Sequence, residues 1–189
     1  MGRWKPNARD RLGQAALDLY SERGFEQTTA AQIAERAGLT ERTFYRHYAD
    51  KREVLFGGAQ ALQDAFVVTL AETPDTAAPI DAMASTLETV AGFFAGRHEF
   101  ARQRHAVIAA NAELRERELI KLATLSAALA ATLRRRGVED PAATLTAEAG
   151  VAVFKVGFER WVETDGKHPL ADFLRESLDE LKAVAAGGP

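Results

Sequence analysis

The sequence contains no cysteine. That absence excludes a disulfide scaffold, a Cys-ligated zinc site, an iron–sulfur cluster and a thiol nucleophile, and it suits a reducing compartment. Long apolar runs are missing as well. None is an unbroken stretch of roughly 18 residues, the length that marks a membrane-spanning helix. The first residues carry charges instead of the apolar core of a signal peptide. The chain is therefore expected to be soluble and cytoplasmic, with no membrane partner. Catalytic signatures are lacking too: there is no G-x-S-x-G elbow, no G-x-x-x-x-G-K-[ST] phosphate loop, no H-E-x-x-H and no G-x-G-x-x-G after a strand. His98 and His105 have no third ligand at metal spacing. The expectation is a protein that is not an enzyme, with no metal and no cofactor.

What is present is ordinary for a globular protein. The 189 residues are 47% apolar and 27% charged, enough for one or two domains with a real core. The net charge of -3 is unevenly spread. Lys and Arg outnumber Asp and Glu over residues 1–52, and the reverse holds over 53–189. A basic head on an acidic body points the head at a polyanion. Helical periodicity runs almost throughout, with no alternating strand, which predicts an all-α fold of about nine helices. The division is a head over 1–50 and a helical body over 51–189.

In the head, Asn7 with Asp10 three residues on opens a helix that buries Leu12, Ala15, Ala16, Leu19 and Tyr20 and stops at Gly24. Thr29-Ala30-Ala31-Gln32 is a capping box for a short helix with Ile33, Ala34 and Ala37 inward. Gly38 ends that helix, and Thr40 caps a third running to about Tyr48. Asp50 with Glu53 repeats the capping box before a fourth helix predicted from Lys51 to Glu72. Residues 29–48 thus match the helix-turn-helix plan. The free face of the third helix offers Glu41, Arg42, Thr43, Tyr45, Arg46 and His47. Glu41 and Arg42, nearest its start, suit base edges: Arg42 to guanine O6/N7, Glu41 to a cytosine amine. Thr28, Thr29, Thr40, Thr43, Tyr45, His47 and Lys51 suit phosphates or the caps beside them. Arg3, Lys5, Arg9 and Arg11 flank the first helix and can add backbone or minor-groove contacts. The plainer alternative is an αα-hairpin in which Tyr45 and His47 merely pack.

The segments Phe25-Glu26-Gln27-Thr28-Thr29, Ile33-Ala34-Glu35-Arg36-Ala37-Gly38-Leu39-Thr40 and Thr43-Phe44-Tyr45-Arg46-His47-Tyr48-Ala49-Asp50-Lys51 closely resemble the DNA-binding domain of the tetracycline-repressor (TetR) family, over about residues 8–56. The resemblance implies that the third helix enters the major groove and that Thr29, Thr43, Tyr45, His47 and Lys51 engage phosphates. Arg42 stands where the family often has glycine, and Tyr48 where it often has phenylalanine. The stretch from Arg102 through Arg117 is similar to the actinobacterial subgroup that includes mycofactocin-type regulators.

By the same resemblance the body holds a small apolar or amphipathic effector and pairs two subunits through helices eight and nine on a palindromic double-stranded DNA operator. The expected effector residues are Phe66, Phe94, His98, Arg102, His105 and Phe154. Phe154, Phe158 and Trp161, extended by Val151, Val162 and the leucines of the ninth helix, form a stripe read here as the subunit interface. Arg134-Arg135-Arg136 reads as a helix C-terminal cap. The function expected is a ligand-responsive repressor. The competing readings are a helical small-molecule-binding scaffold and an enzyme without DNA function.

Overall fold

The computed structural model describes residues 7–187. Among the described residues are nine α-helices and no strand: α1 (Ala8–Arg23), α2 (Ala30–Arg36), α3 (Glu41–His47), α4 (Ala59–Glu72), α5 (Pro79–Ala91), α6 (His98–Ala110), α7 (Ala112–Arg135), α8 (Ala142–Val162) and α9 (Leu170–Ala185). Short 3-10 turns precede α4 at Glu53–Phe56 and come after α5 at Gly92–Phe94. The fourth helix therefore starts later than its periodicity predicts. Asp50 does cap the backbone N–H groups of Arg52 and Glu53. The cap opens only the single 3-10 turn, and Gly57-Gly58 then interrupts the run, since glycine loses the most freedom on helical confinement.

The chain divides into two compact units. The head comprises the residues up to Ala59 together with Gln103–Glu118, and the body comprises the rest. The head is larger than residues 1–50 because its core is larger. Val54, Leu55 and Phe56 pack with Leu12, Leu19, Ile33 and Phe44, and so do Val107, Ile108 and Leu114 from the corner joining α6 to α7. Ion pairs fasten that corner. Arg104 bonds the Leu55 carbonyl at 2.8 Å, pairs with Glu118 at 3.0 Å and lies over the Phe56 ring, while Arg117 pairs with Glu53.

In the body, α5, α8 and α9 pack around Met83, Leu87, Val151, Phe154, Leu174 and Leu178. The helices approach closely at Gly157, where a Cβ would come within 2.7 Å of a Leu174 methyl and 3.2 Å of its Cα. This core absorbs the aromatic stripe read as an interface. Phe154 and Trp161 are buried within their own subunit beside Phe94, and Val151, Val162, Leu170, Leu174 and Leu178 belong to the same core. Periodicity shows which side chains share a face and leaves open what covers it, and here the cover is intramolecular. Arg136 caps a helix, though not its own. It donates to the carbonyls of Thr73 at 2.6 Å and Pro74 at 2.9 Å, just beyond the end of α4.

The stretch Glu53–Glu72 is as long and apolar as a membrane-crossing helix. Gln60, Gln63 and Asp64 interrupt it, and its largest apolar side chains belong to the two cores: Val54, Leu55 and Phe56 in the head, Phe66 and Leu70 in the body.

Candidate nucleic-acid interface

Local hydrogen bonds build the head element by element. Asn7 Oδ1 accepts from the Asp10 N–H at 2.9 Å and starts α1. Thr29 and Gln32 exchange both bonds of a capping box at the start of α2. Thr40 Oγ1 accepts from the Thr43 N–H and starts α3. Between α2 and α3 the chain turns through Gly38 at φ +64°, and the Leu39 and Gly38 N–H groups return to the Ala34 and Glu35 carbonyls. This double bond across a left-handed residue is the Schellman termination, for which glycine is the least strained choice.

Phe44 is fully buried beneath α3, which orients the helix. Glu41, Arg42 and Arg46 are exposed on its outer side without a hydrogen-bond or ion-pair partner among the described residues, and Tyr45 stands 54% exposed beside them. Two cations, one carboxylate and one phenol with free polar atoms form a surface able to meet base edges and phosphates.

The expected phosphate set divides. Thr29 is exposed at the start of α2, and the Thr40 and Thr43 hydroxyls pair at 3.0 Å in the cap of α3. Thr28 is removed from the set: it is 1% exposed and its hydroxyl donates inward to the Gly24 carbonyl at 2.9 Å. Lys51 holds the loop before α2, its ammonium donating to Phe25 O at 2.9 Å and lying 4.2 Å from the Phe25 ring centroid. The Tyr20 hydroxyl in turn donates to Lys51 O at 2.6 Å. Burial, with the Asp50 charge adding to it, pushes the Tyr20 phenol well above its ordinary range. His47 turns Nε2 inward, where it is buried and unpaired, so that nitrogen reaches a phosphate only if the ring rotates. Tyr48, in the position where the family often has phenylalanine, is packed in the head core, and its hydroxyl donates to Arg9 O at 3.4 Å. Arg3 and Lys5 lie outside the described residues.

The expected effector residues are not gathered into one face. Arg102 is half exposed and engages Glu99 in two hydrogen bonds at 2.8 and 3.0 Å, so it is a surface residue and leaves the set. His98 belongs to the body, where Nε2 meets the Trp161 carbonyl at 3.0 Å, whereas His105 belongs to the head. Phe66, Phe94 and Phe154 do come together, with ring centroids 5.5 and 6.0 Å apart around Phe154. Phe66 is 1% exposed and closed off from solvent. A depression of about 290 Å³ along α9 is lined by His168, Asp172, Phe173, Arg175, Glu176 and Asp179, and none of these is an expected effector residue.

The roles that sequence reasoning misses are those of the clamps: Arg11 of α1, which bonds the α2–α3 turn, and Arg104, Arg117, Glu53 and Glu118 at the α6–α7 corner. No local pattern marks them, because their partners lie 14 to 64 residues away.

A buried three-helix head that turns one short polar helix outward after a four-residue connection defines the helix-turn-helix class of regulatory protein. Within that class the chain belongs to the TetR family. Residues 13–56 match the bacterial regulatory proteins of the tetR family and residues 77–186 match the MftR C-terminal domain. The HTH-type transcriptional regulator TcmR of Streptomyces glaucescens is 39% identical over 84 residues, which is 44% of this chain and 37% of TcmR. The HTH-type transcriptional repressor KstR2 of Mycolicibacterium smegmatis is 29% identical over 100 residues, 53% of this chain and 46% of KstR2. These alignments thus span less than half of the curated relatives. The fold of FadR from Bacillus subtilis, solved with stearoyl-CoA, superposes with a TM-score of 0.62 at 20% identity, covering 91% of this chain and 96% of that one.

Proposed function

We propose that the chain is a DNA-binding repressor that acts in the cytoplasm as a homodimer on a palindromic operator and releases it when a small apolar or amphipathic effector enters the body. One observation carries the reading: α3 presents Glu41, Arg42, Tyr45 and Arg46 outward, with no hydrogen-bond or ion-pair partner among the described residues, while Phe44 anchors its reverse side. Family membership and the curated regulators it resembles support it. Arg42 reads a base; Thr29, Thr43, Tyr45, Lys51 and a rotated His47 hold phosphates.

Pairing through α8 and α9 is supported by an apolar seam on α8. Leu145 (64% exposed), Ala149, Ala152 and Val156 (48% exposed) recur at alternating steps of four and three, and exposed Val184 adds an apolar side chain on α9. Recognition of half-sites one helical turn apart requires two copies related by twofold symmetry. The effector meets Phe66, Phe94 and Phe154 and must open their packing to bind. The stearoyl-CoA of the Bacillus subtilis relative makes acyl thioesters the first compounds to assay. A coupling of about 1–3 kcal/mol lowers operator affinity from several-fold to over a hundredfold.

Titration of the purified chain against its own upstream intergenic DNA and against a random duplex, at physiological salt, tests the reading. Strong preference for the intergenic DNA is expected, and equal affinity for both duplexes refutes specific regulation.

A further inference from the structure

We infer that Arg11 is a positioning residue for DNA recognition: from α1 it closes the C-terminal end of α2 and so fixes the turn that aims α3. The inference rests on the reading of α3 as the DNA-contacting helix.

The end of α2 leaves carbonyl groups without an intrahelical partner. The Schellman bonds satisfy those of Ala34 and Glu35, and the Ala37 N–H takes that of Ile33. The carbonyls of Ala37 and Gly38 lie beyond this ladder. Arg11 Nη2 donates to both, at 3.2 Å for Gly38. A cation at a helix C-terminus is also favoured by the aligned peptide dipoles. Three residues further on, Glu41 begins α3 under the Thr40 cap. The linker of Gly38, Leu39 and Thr40 is therefore held at one end by Thr40 and at the other by a side chain 26 residues earlier in the chain.

Gly38 lies directly beside this contact. It supplies the positive φ of the turn, and a Cβ there would stand 2.9 Å from Arg11 Nη2, the movable end of a long side chain. Arg11 is half-buried and its Nη2 is committed to two backbone oxygens. That geometry separates it from the exposed arginines of α3 and sets aside its expected role as a backbone or minor-groove contact.

The test measures affinity for the intergenic duplex as a function of salt, using the full-length wild type, Arg11→Met and Arg11→Lys, each held well below its own unfolding midpoint. Wild-type preference for the intergenic over the random duplex comes first, and its failure removes the regulator reading itself. Given that preference, Arg11→Met, which keeps the stem and loses the donors, is expected to bind roughly two- to thirtyfold more weakly. Its slope of log affinity against log salt is expected to match the wild type, because no phosphate contact is lost. A slope reduced by about one makes Arg11 a phosphate ligand and overturns the inference. Undiminished affinity in a folded Arg11→Met protein overturns it equally. Arg11→Lys keeps the charge, but its ammonium ends short of the two carbonyls. It is expected to bind more weakly than the wild type at unchanged slope, so wild-type affinity in Arg11→Lys refutes the geometric requirement even if Arg11→Met does not fold.

Discussion

Arg42, which faces outward for a ligand, and Tyr20, which is tied to the backbone, represent two groups of polar side chains in the head that respond differently to substitution. Arg42 is in the first group. Arg42→Ala is expected to cost about 1–3 kcal/mol of binding at one base position and to relax preference there. Titration against operators altered one base pair at a time checks this, since a uniform loss on every duplex contradicts base reading. Tyr20 is in the second group. Its phenol is raised by burial and by the neighbouring Asp50, so the folded state holds the proton above pH 10.0, where the unfolded chain releases it. The unfolded state then binds fewer protons than the native one, and stability falls as pH rises. The contribution of Tyr20 is complete below its ordinary value of 10.0 and declines above it. Tyr20→Phe is expected to lose about 1 kcal/mol at neutral pH, from the bond to Lys51 O, and to flatten the alkaline decline. Urea unfolding from pH 7 to pH 11 measures both.

Among the elements, those governed by neighbours in sequence are legible and those governed by distant partners are not. Asn7, Thr29 and Thr40 start their helices as their side chains predict, because a cap needs only the next three residues. The start of α4 escapes the same reading because its apolar run continues through Gly57-Gly58 while the helix does not. Arg136 is recognisable as a cap, but its target, the end of α4, lies more than 60 residues back. Thr28 belongs to a matching motif, yet its hydroxyl faces the core, a direction that residue type does not encode. The α6–α7 corner shows distant control most plainly. Burial pushes the Arg104 pKa down and the Glu118 carboxylate opposes that shift, which describes a charge taken from water and given a specific partner. Arg104→Met removes the bonds to Leu55 O and Glu118 and is expected to destabilise the protein by about 2 kcal/mol. Arg102→Ala breaks only an exposed pair with Glu99 and is expected to leave the unfolding midpoint unchanged. Chemical denaturation of the two variants side by side distinguishes a part-buried clamp from surface decoration.

For the whole molecule, the proposed dimer is the property on which regulation depends. Leu145→Asp combined with Val156→Asp places two carboxylates on the apolar seam of α8 without touching the core beneath it. Sedimentation is expected to show a monomer. Operator affinity is expected to fall by roughly 10²–10⁴, the gain that two linked heads obtain from engaging both half-sites together. A dimer that persists in this double variant places the interface elsewhere.

The membership of Gln103–Glu118 in the head has a consequence for how such regulators can be cut and recombined. A fragment ending at Ala59 would contain every residue of the helix-turn-helix but would lack Val107, Ile108 and Leu114, and so would expose Leu55, Phe56 and their neighbours to water. The reading module is discontinuous in the gene. A chimaera that grafts this head onto another body must carry the α6–α7 corner with it, or must repack the donor's corner against a surface shaped for this one.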